Sequence, residues 1–176
     1  MSVKKVSLDS VGAELVQEAR SQSEESLPLS TRLFPYVLIA SRRMSLRKIS
    51  AWLEDKHGVS MSAGTISRSL NKPELHLERL SEFIAPVARY VGTAYHVSAT
   101  SLLFDKVSEN GPSALHVMAE HDHKSPENEE DIDRWGELQF LASVWEPIPD
   151  EVQQMLAPYL RYLVDPEETQ NPFEKR

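Results

Sequence analysis

Apolar positions recur every three or four residues along most of this chain, the pattern of amphipathic helices rather than strands. Val37, Leu38, Ala40 and Met44 share one face, and Pro35 before them suits a first helical turn, where its missing N–H is no loss. Ser45 stands as the N-cap of a second helix. Leu46, Ile49, Trp52 and Leu53 form its apolar stripe, with Ile49 and Trp52 expected in the core, while Arg47, Lys48 and Glu54 face outward. Gly58 stops that helix as a left-handed residue, and Val59 plugs the turn. Ser60 or Ser62 caps a short third helix carrying Ile66 and Leu70, which Pro73 closes. A further helix over residues 75–91 buries Leu77, Leu80, Phe83, Ile84, Val87 and Val91, and Pro86 within it is expected to kink or split it. Ser98 caps a last short helix with Leu102, Leu103 and Phe104.

Beyond residue 105 the pattern changes. Asn110-Gly111-Pro112 is a turn signal, and Leu115 to Met118 reads as a short strand or a helical turn. Residues 120–133 are acid-rich and are expected to form a mobile loop. Ile132, Trp135, Leu138, Leu141 and Val144 mark a helix that Pro147 and Pro149 break. Asp150 then caps a final helix containing Val152, Leu156, Tyr159, Leu160 and Leu163, which ends at Pro166. The expectation is an all-α fold: a trihelical core extended by further helices, with an acidic C-terminal helical module. It divides into a polar segment at 1–29, in which Val11, Leu15 and Ala19 suit a short helix, and a helical binding domain at 30–105. An acidic linker at 106–130, a C-terminal helical module at 131–166 and a flexible tail at 167–176 follow.

Charge changes the picture. The net charge of −8 argues against a nucleic-acid partner until its distribution is examined. Residues 30–72 carry Arg32, Arg42, Arg43, Arg47, Lys48, Lys56, Arg68 and Lys72 against only Glu54 and Asp55, a local net of +6. Residues 106–176 carry a net of −10. Such asymmetry points to a basic binding face joined to an acidic module.

Other chemistries find little support. The chain has no cysteine, which excludes disulfides, thiolate zinc sites and cysteine nucleophiles. There is no Gly-rich phosphate loop and no Gly-x-Ser-x-Gly nucleophile turn. His116, His121 and His123 with Glu120 and Asp122 lie in a charged stretch and read as solvated side chains rather than a metal site. The carboxylates between residues 127 and 133 lack an apolar surround that would shift their pKa values. No enzyme activity, cofactor or metal is therefore expected. The absence of a long apolar run argues against a membrane span, no apolar stretch follows Lys4 and Lys5 to make a secretory signal, and a cytoplasmic location is the default.

The informative stretch runs from Ser45 to Asn71: two helices joined by a Gly-containing turn, the second short and furnished with small or hydrogen-bonding side chains. A helix that enters a major groove about 12 Å wide needs such a surface. Ser62, Thr65, Ser67, Arg68 and Asn71 are the candidates for reading base edges. Arg42, Arg43, Arg47, Lys48 and Lys72 are the candidates for holding phosphates. This stretch resembles the helix-turn-helix DNA-binding superfamily. The sequence Gly58-Val59-Ser60 followed by Thr65-Ile66-Ser67-Arg68 is similar to resolvase and transposase DNA-binding regions. The wider segment 33–104 looks like the lambda-repressor-like group, through Asn71-Lys72-Pro73, the amphipathic helix after it, Val97-Ser98 and Leu102-Leu103.

The resemblance implies double-stranded DNA as partner and a repressor-like transcriptional regulator of bacterial or phage type. Palindromic half-sites would require a homo-oligomer, most simply a dimer, and the acidic C-terminal helices would supply that interface or bind a protein partner. Two other readings stay open: a DNA-packaging or replication accessory protein such as a small terminase subunit, and a non-enzymatic interaction subunit resembling an antitoxin.

Overall fold

The computed structural model describes residues 27–106, 108–109, 111–121, 129–167 and 170–173, with positions 11, 14, 15 and 18 of the N-terminal segment. The described residues are all-α: α1 (Leu29–Ala40), α2 (Leu46–His57), α3 (Ala63–Asn71), α4 (Pro73–Ala94), α5 (Ala99–Phe104), α6 (Ala114–His121), α7 (Glu129–Trp145) and α8 (Asp150–Val164). Among these residues no helix is long and apolar enough to cross a membrane.

Local chemistry sets most of the boundaries. The Ser45 and Ser62 hydroxyls accept from the amides of Lys48 and Thr65, satisfying donors that the first turns of α2 and α3 leave open. Gly58 ends α2 with φ of 64°, a left-handed conformation that costs a glycine little, and its amide donates to the Glu54 carbonyl. Helix α4 ends in a Schellman turn: the amides of His96 and Val97 return to the carbonyls of Thr93 and Gly92 at 3.3 and 2.8 Å. Gly92 permits that turn, since a Cβ there would stand 2.7 Å from the Val97 carbonyl oxygen.

The prolines depart from expectation. Pro35 lies in the interior of α1, which begins at Leu29, rather than in a first turn. Helix α4 continues through Pro86 without splitting. Pro86 faces solvent, where water can take the carbonyl that its ring leaves unbonded, while Ile84, Ala85, Ala88 and Val91 hold the helix against the core on either side. Asp150 is the first residue of α8, not its cap; Pro149 precedes it with no side-chain cap bond.

Two apolar cores form. The smaller joins Val37 of α1, Ile49 and Leu53 of α2, Met61 of the turn and Ile66 of α3. The larger is built on α4, with Leu77, Leu80, Ile84 and Val91 packed against Leu102 and Leu103 of α5, Leu115 of α6, Leu138, Leu141 and Trp145 of α7, and Val152, Leu156 and Leu160 of α8. Phe34 sends α1 into the larger core, and Leu70 of α3 touches both. Helix α4, which sequence grouped with the binding domain, thus forms the spine on which α7 and α8 pack, and the change of core falls near Lys72.

Polar ties close the larger core. The Trp145 indole N–H donates to the Leu103 carbonyl at 3.0 Å, and the Gln139 amide donates to the Ala119 carbonyl at 2.9 Å. The stretch 115–118, whose sequence suits a short strand or a helical turn, is helical within α6, and Leu115 is fully buried. Part of the tail expected to be flexible is packed: the Phe173 ring lies edge-on to Tyr159 at 5.3 Å. Val11 and Leu15 are helical and exposed. Ala19, residues 122–128 of the expected acidic loop and the last three residues of the chain lie outside the described residues.

Candidate nucleic-acid interface

Helix α3 is short, and its two faces differ. Ile66, Ser69 and Leu70 face inward, against α1, α2 and the start of α4. Gly64, Arg68 and Asn71, spaced four and then three residues apart, share the opposite, exposed face, with Thr65 and Ser67 half-buried at its flanks. The buried Ser69 hydroxyl donates to the Thr65 carbonyl at 3.0 Å, so its polarity is satisfied within the helix. A second tie holds the approach to α3: the Ser50 hydroxyl of α2 donates to the Met61 carbonyl at 2.6 Å. This bond and the buried Met61 side chain fix the turn that sets α3 against α2.

Three of the five candidate base-reading side chains form a connected row. Ser62 caps the helix by accepting from the Thr65 amide at 3.1 Å, and the Ser62 and Thr65 hydroxyls are 3.0 Å apart. The Arg68 guanidinium donates to the Thr65 hydroxyl at 3.2 Å. Ser62, Thr65 and Arg68 are therefore linked along one edge of α3, and the bond limits the rotamers open to a long cationic side chain. Ser67 and Asn71 take no part in this row.

The candidate phosphate ligands divide. Arg43, Arg47 and Lys48 are exposed around the start of α2, Lys72 is exposed beyond the end of α3, and none of the four has a carboxylate partner among the described residues. Arg42, expected to act with them, is instead held by Glu151 of α8, both terminal nitrogens meeting both carboxylate oxygens. This pairing raises the Arg42 pKa and lowers that of Glu151, so both stay charged at neutral pH.

Trp52, expected in the core, is 48% exposed. Leu46, Ile49 and Leu53 fill the inward stripe of α2, and Trp52 falls to one side of it, its ring 4.9 Å from that of His57. Trp135 is partly exposed, at 39%, because the buried stripe of α7 is carried by Leu138, Leu141, Ala142 and Trp145.

Two polar pairings had no sequence signal: His76 with Thr31, and His116, noted above only beside Glu120, with Glu146. The His76 ring of α4 lies 3.0 Å from the Thr31 hydroxyl of α1 and stacks on Phe34 at 5.0 Å. Burial, aided by the charge of Arg79, lowers its pKa and keeps the ring neutral. His116 of α6 meets Glu146 through Nδ1 and Glu120 through Nε2, both at 2.9 Å. The hydrogen bond to Glu146, more than any other influence, raises its pKa. In its protonated form the ring donates from both nitrogens, one to each carboxylate. Among the described residues no group of three metal-ligating side chains gathers; His123 and Asp122 lie outside them.

No family model, curated protein or solved structure matches this chain.

Proposed function

We propose that this chain is a sequence-specific DNA-binding regulator of the helix-turn-helix kind, reading duplex DNA with the exposed face of α3 and occupying its site as a dimer. The observation that carries the reading is that face itself. Gly64, Arg68 and Asn71 stand exposed together, and Arg68 is braced by Thr65. Glycine is a poorer helix former than alanine, by up to about 1 kcal/mol in a helix interior and less in the first turn, where Gly64 stands. Nothing within the fold asks for that loss, because a Cβ at Gly64 would meet only the Ser62 hydroxyl at 3.8 Å. A surface from outside, such as a sugar-phosphate backbone drawn close to the start of α3, accounts for it.

The cations supply the affinity. Arg43, Arg47, Lys48 and Lys72 are available to neutralise phosphates and release counterions, which is the larger and sequence-independent part of such binding. Arg68, a two-pronged donor, matches the O6 and N7 acceptors of guanine. Dimerisation would pair two α3 helices with half-sites one helical turn apart. A regulator of this kind works where the chromosome lies, in the bacterial cytoplasm.

Selection of bound sites from a random duplex pool, with mass measurement in solution, tests the reading. A recurring palindrome and a dimer are the expected results. On the selected site Arg68→Ala should weaken binding by roughly 1–3 kcal/mol and flatten base preference, while Arg43→Ala should weaken all sequences alike and lower the salt slope by about one. Equal loss from both substitutions on every sequence would remove the distinction between reader and phosphate ligand. A ring of many copies would favour a packaging accessory, and no duplex affinity would favour an interaction subunit.

A further inference from the structure

We infer that Glu151 is an internal stand-in for a DNA phosphate, holding Arg42 until duplex DNA displaces it; this rests on the DNA-reading function proposed above. Arg42 lies in the turn between α1 and α2, three residues before the Ser45 cap, next to Arg43 and close in sequence to Arg47 and Lys48. Of these four cations it alone is engaged by a carboxylate among the described residues. The contact is two-pronged, nitrogen by nitrogen on oxygen by oxygen, the same fork that a guanidinium offers to two phosphate oxygens.

The position of Glu151 makes the substitution specific. The two partners are 109 residues apart in sequence and join the basic three-helix unit to the acidic helices. Glu151 sits in the first turn of α8, next to the fully buried Val152, so a helix anchored in the larger core presents its carboxylate. Its neighbour Asp150 faces Lys106 at 3.9 Å instead. Both partners of the Arg42 pair are half exposed, with side chains at 51% and 50%, so water screens the attraction and the pair can exchange. A phosphate reaching Arg42 must replace this carboxylate, and Arg42 therefore adds less to DNA affinity than Arg43 beside it.

The test measures fluorescence-anisotropy affinity of the full chain for its selected duplex, at low salt, across Glu151→Gln, Asp150→Asn, Arg42→Ala and the double variant Arg42→Ala/Glu151→Gln. Glu151→Gln should tighten binding by up to about fivefold, the upper limit set by an exposed ion pair. Asp150→Asn removes the same charge one residue away and should change affinity less. With Arg42 already alanine, the Glu151→Gln effect should vanish. Equal gains from Glu151→Gln and Asp150→Asn, or a gain that persists without Arg42, would mean that Glu151 acts only through bulk charge, and the inference would be wrong. Wild-type binding with no change in Glu151→Gln overturns the inference alone; no duplex binding by any variant overturns the DNA reading as well. Glu151→Ala, with unchanged helical ellipticity, should repeat the Glu151→Gln result.

Discussion

The three-helix unit α1–α3 and the scaffold α4–α8 divide charge and apolar area unequally. Among the described residues the first has a core of five buried apolar side chains, and the second shares a core of eighteen that includes Phe34 from α1. Five are too few to hold three helices without help, so the small unit leans on the scaffold through Phe34, Leu70 and the Thr31–His76 contact. Its surface is also the more basic: the +6 of residues 30–72 stands against the −10 of residues 106–176. The contrast teaches a division of labour. A thin core leaves most of α2 and α3 in contact with solvent, where the proposed DNA-binding side chains lie, and the thicker core anchors the helices on which this unit leans.

Large-to-small changes in the two cores probe that division most strongly. Trp145→Ala should cost about 3–5 kcal/mol, because a fully buried indole leaves a cavity and the Leu103 carbonyl loses its donor. Thermal unfolding should report the loss across the whole chain. Ile66→Ala should cost less, toward the lower end of roughly 2–5 kcal/mol, since the small core has freedom to collapse around the gap. The loss should be local. Amide exchange in α2 and α3 should quicken while that in α4 and α8 is unchanged. Equal quickening throughout would show one cooperative body, not two unequal parts.

Acidity should act on the two regions with opposite sign. The His76 pKa lies below its ordinary value of about 6.5, so its contribution to stability is whole above that pH and is lost as pH falls through it toward the folded value. The His116 pKa lies above the ordinary value, so its contribution is whole below about pH 6.5 and is lost as pH rises through the folded value. Lowering the pH from about 7 to about 5, across the ordinary histidine range, should therefore loosen the joint between α1 and α4 while the α6–α7 contact holds. Histidine ring NMR signals followed with pH would separate the two, and identical titration of both rings would contradict the assignment. The smallest effect is expected at Ser81, whose hydroxyl is buried without a hydrogen-bond partner among the described residues. Ser81→Ala should leave stability unchanged or raise it by up to about 1 kcal/mol in chemical denaturation, and a clear loss would reveal a partner for that hydroxyl.

Much of the helical order was legible because it is set locally. Ser45, Gly58 and Ser62 mark their boundaries through caps that involve three or four neighbouring residues, and Ile49, Leu53 and Ile66 declare their burial by spacing. What escaped was set by distant packing. Pro86 obeys no local rule, since buried neighbours on both sides keep α4 continuous through it. Trp52 has the composition of a core residue, yet three smaller side chains fill the stripe and leave it outside. In the candidate site, the exposed residues of α3 follow from helical phase, and the brace from Thr65 to Arg68 is a three-residue spacing open to inspection. The Arg42–Glu151 pair joins residues 109 positions apart, and no periodicity connects them. His76 was equally silent, because its partner Thr31 lies on another helix.

The most direct test of DNA reading by α3 is a map of amide chemical-shift changes when the chain is titrated with its selected duplex. The largest shifts are expected at Gly64, Arg68 and Asn71, with smaller ones at Arg43, Arg47 and Lys48 and little change along α7 and α8 beyond Glu151. Shifts centred on α7 and α8, with α3 unmoved, would contradict the account.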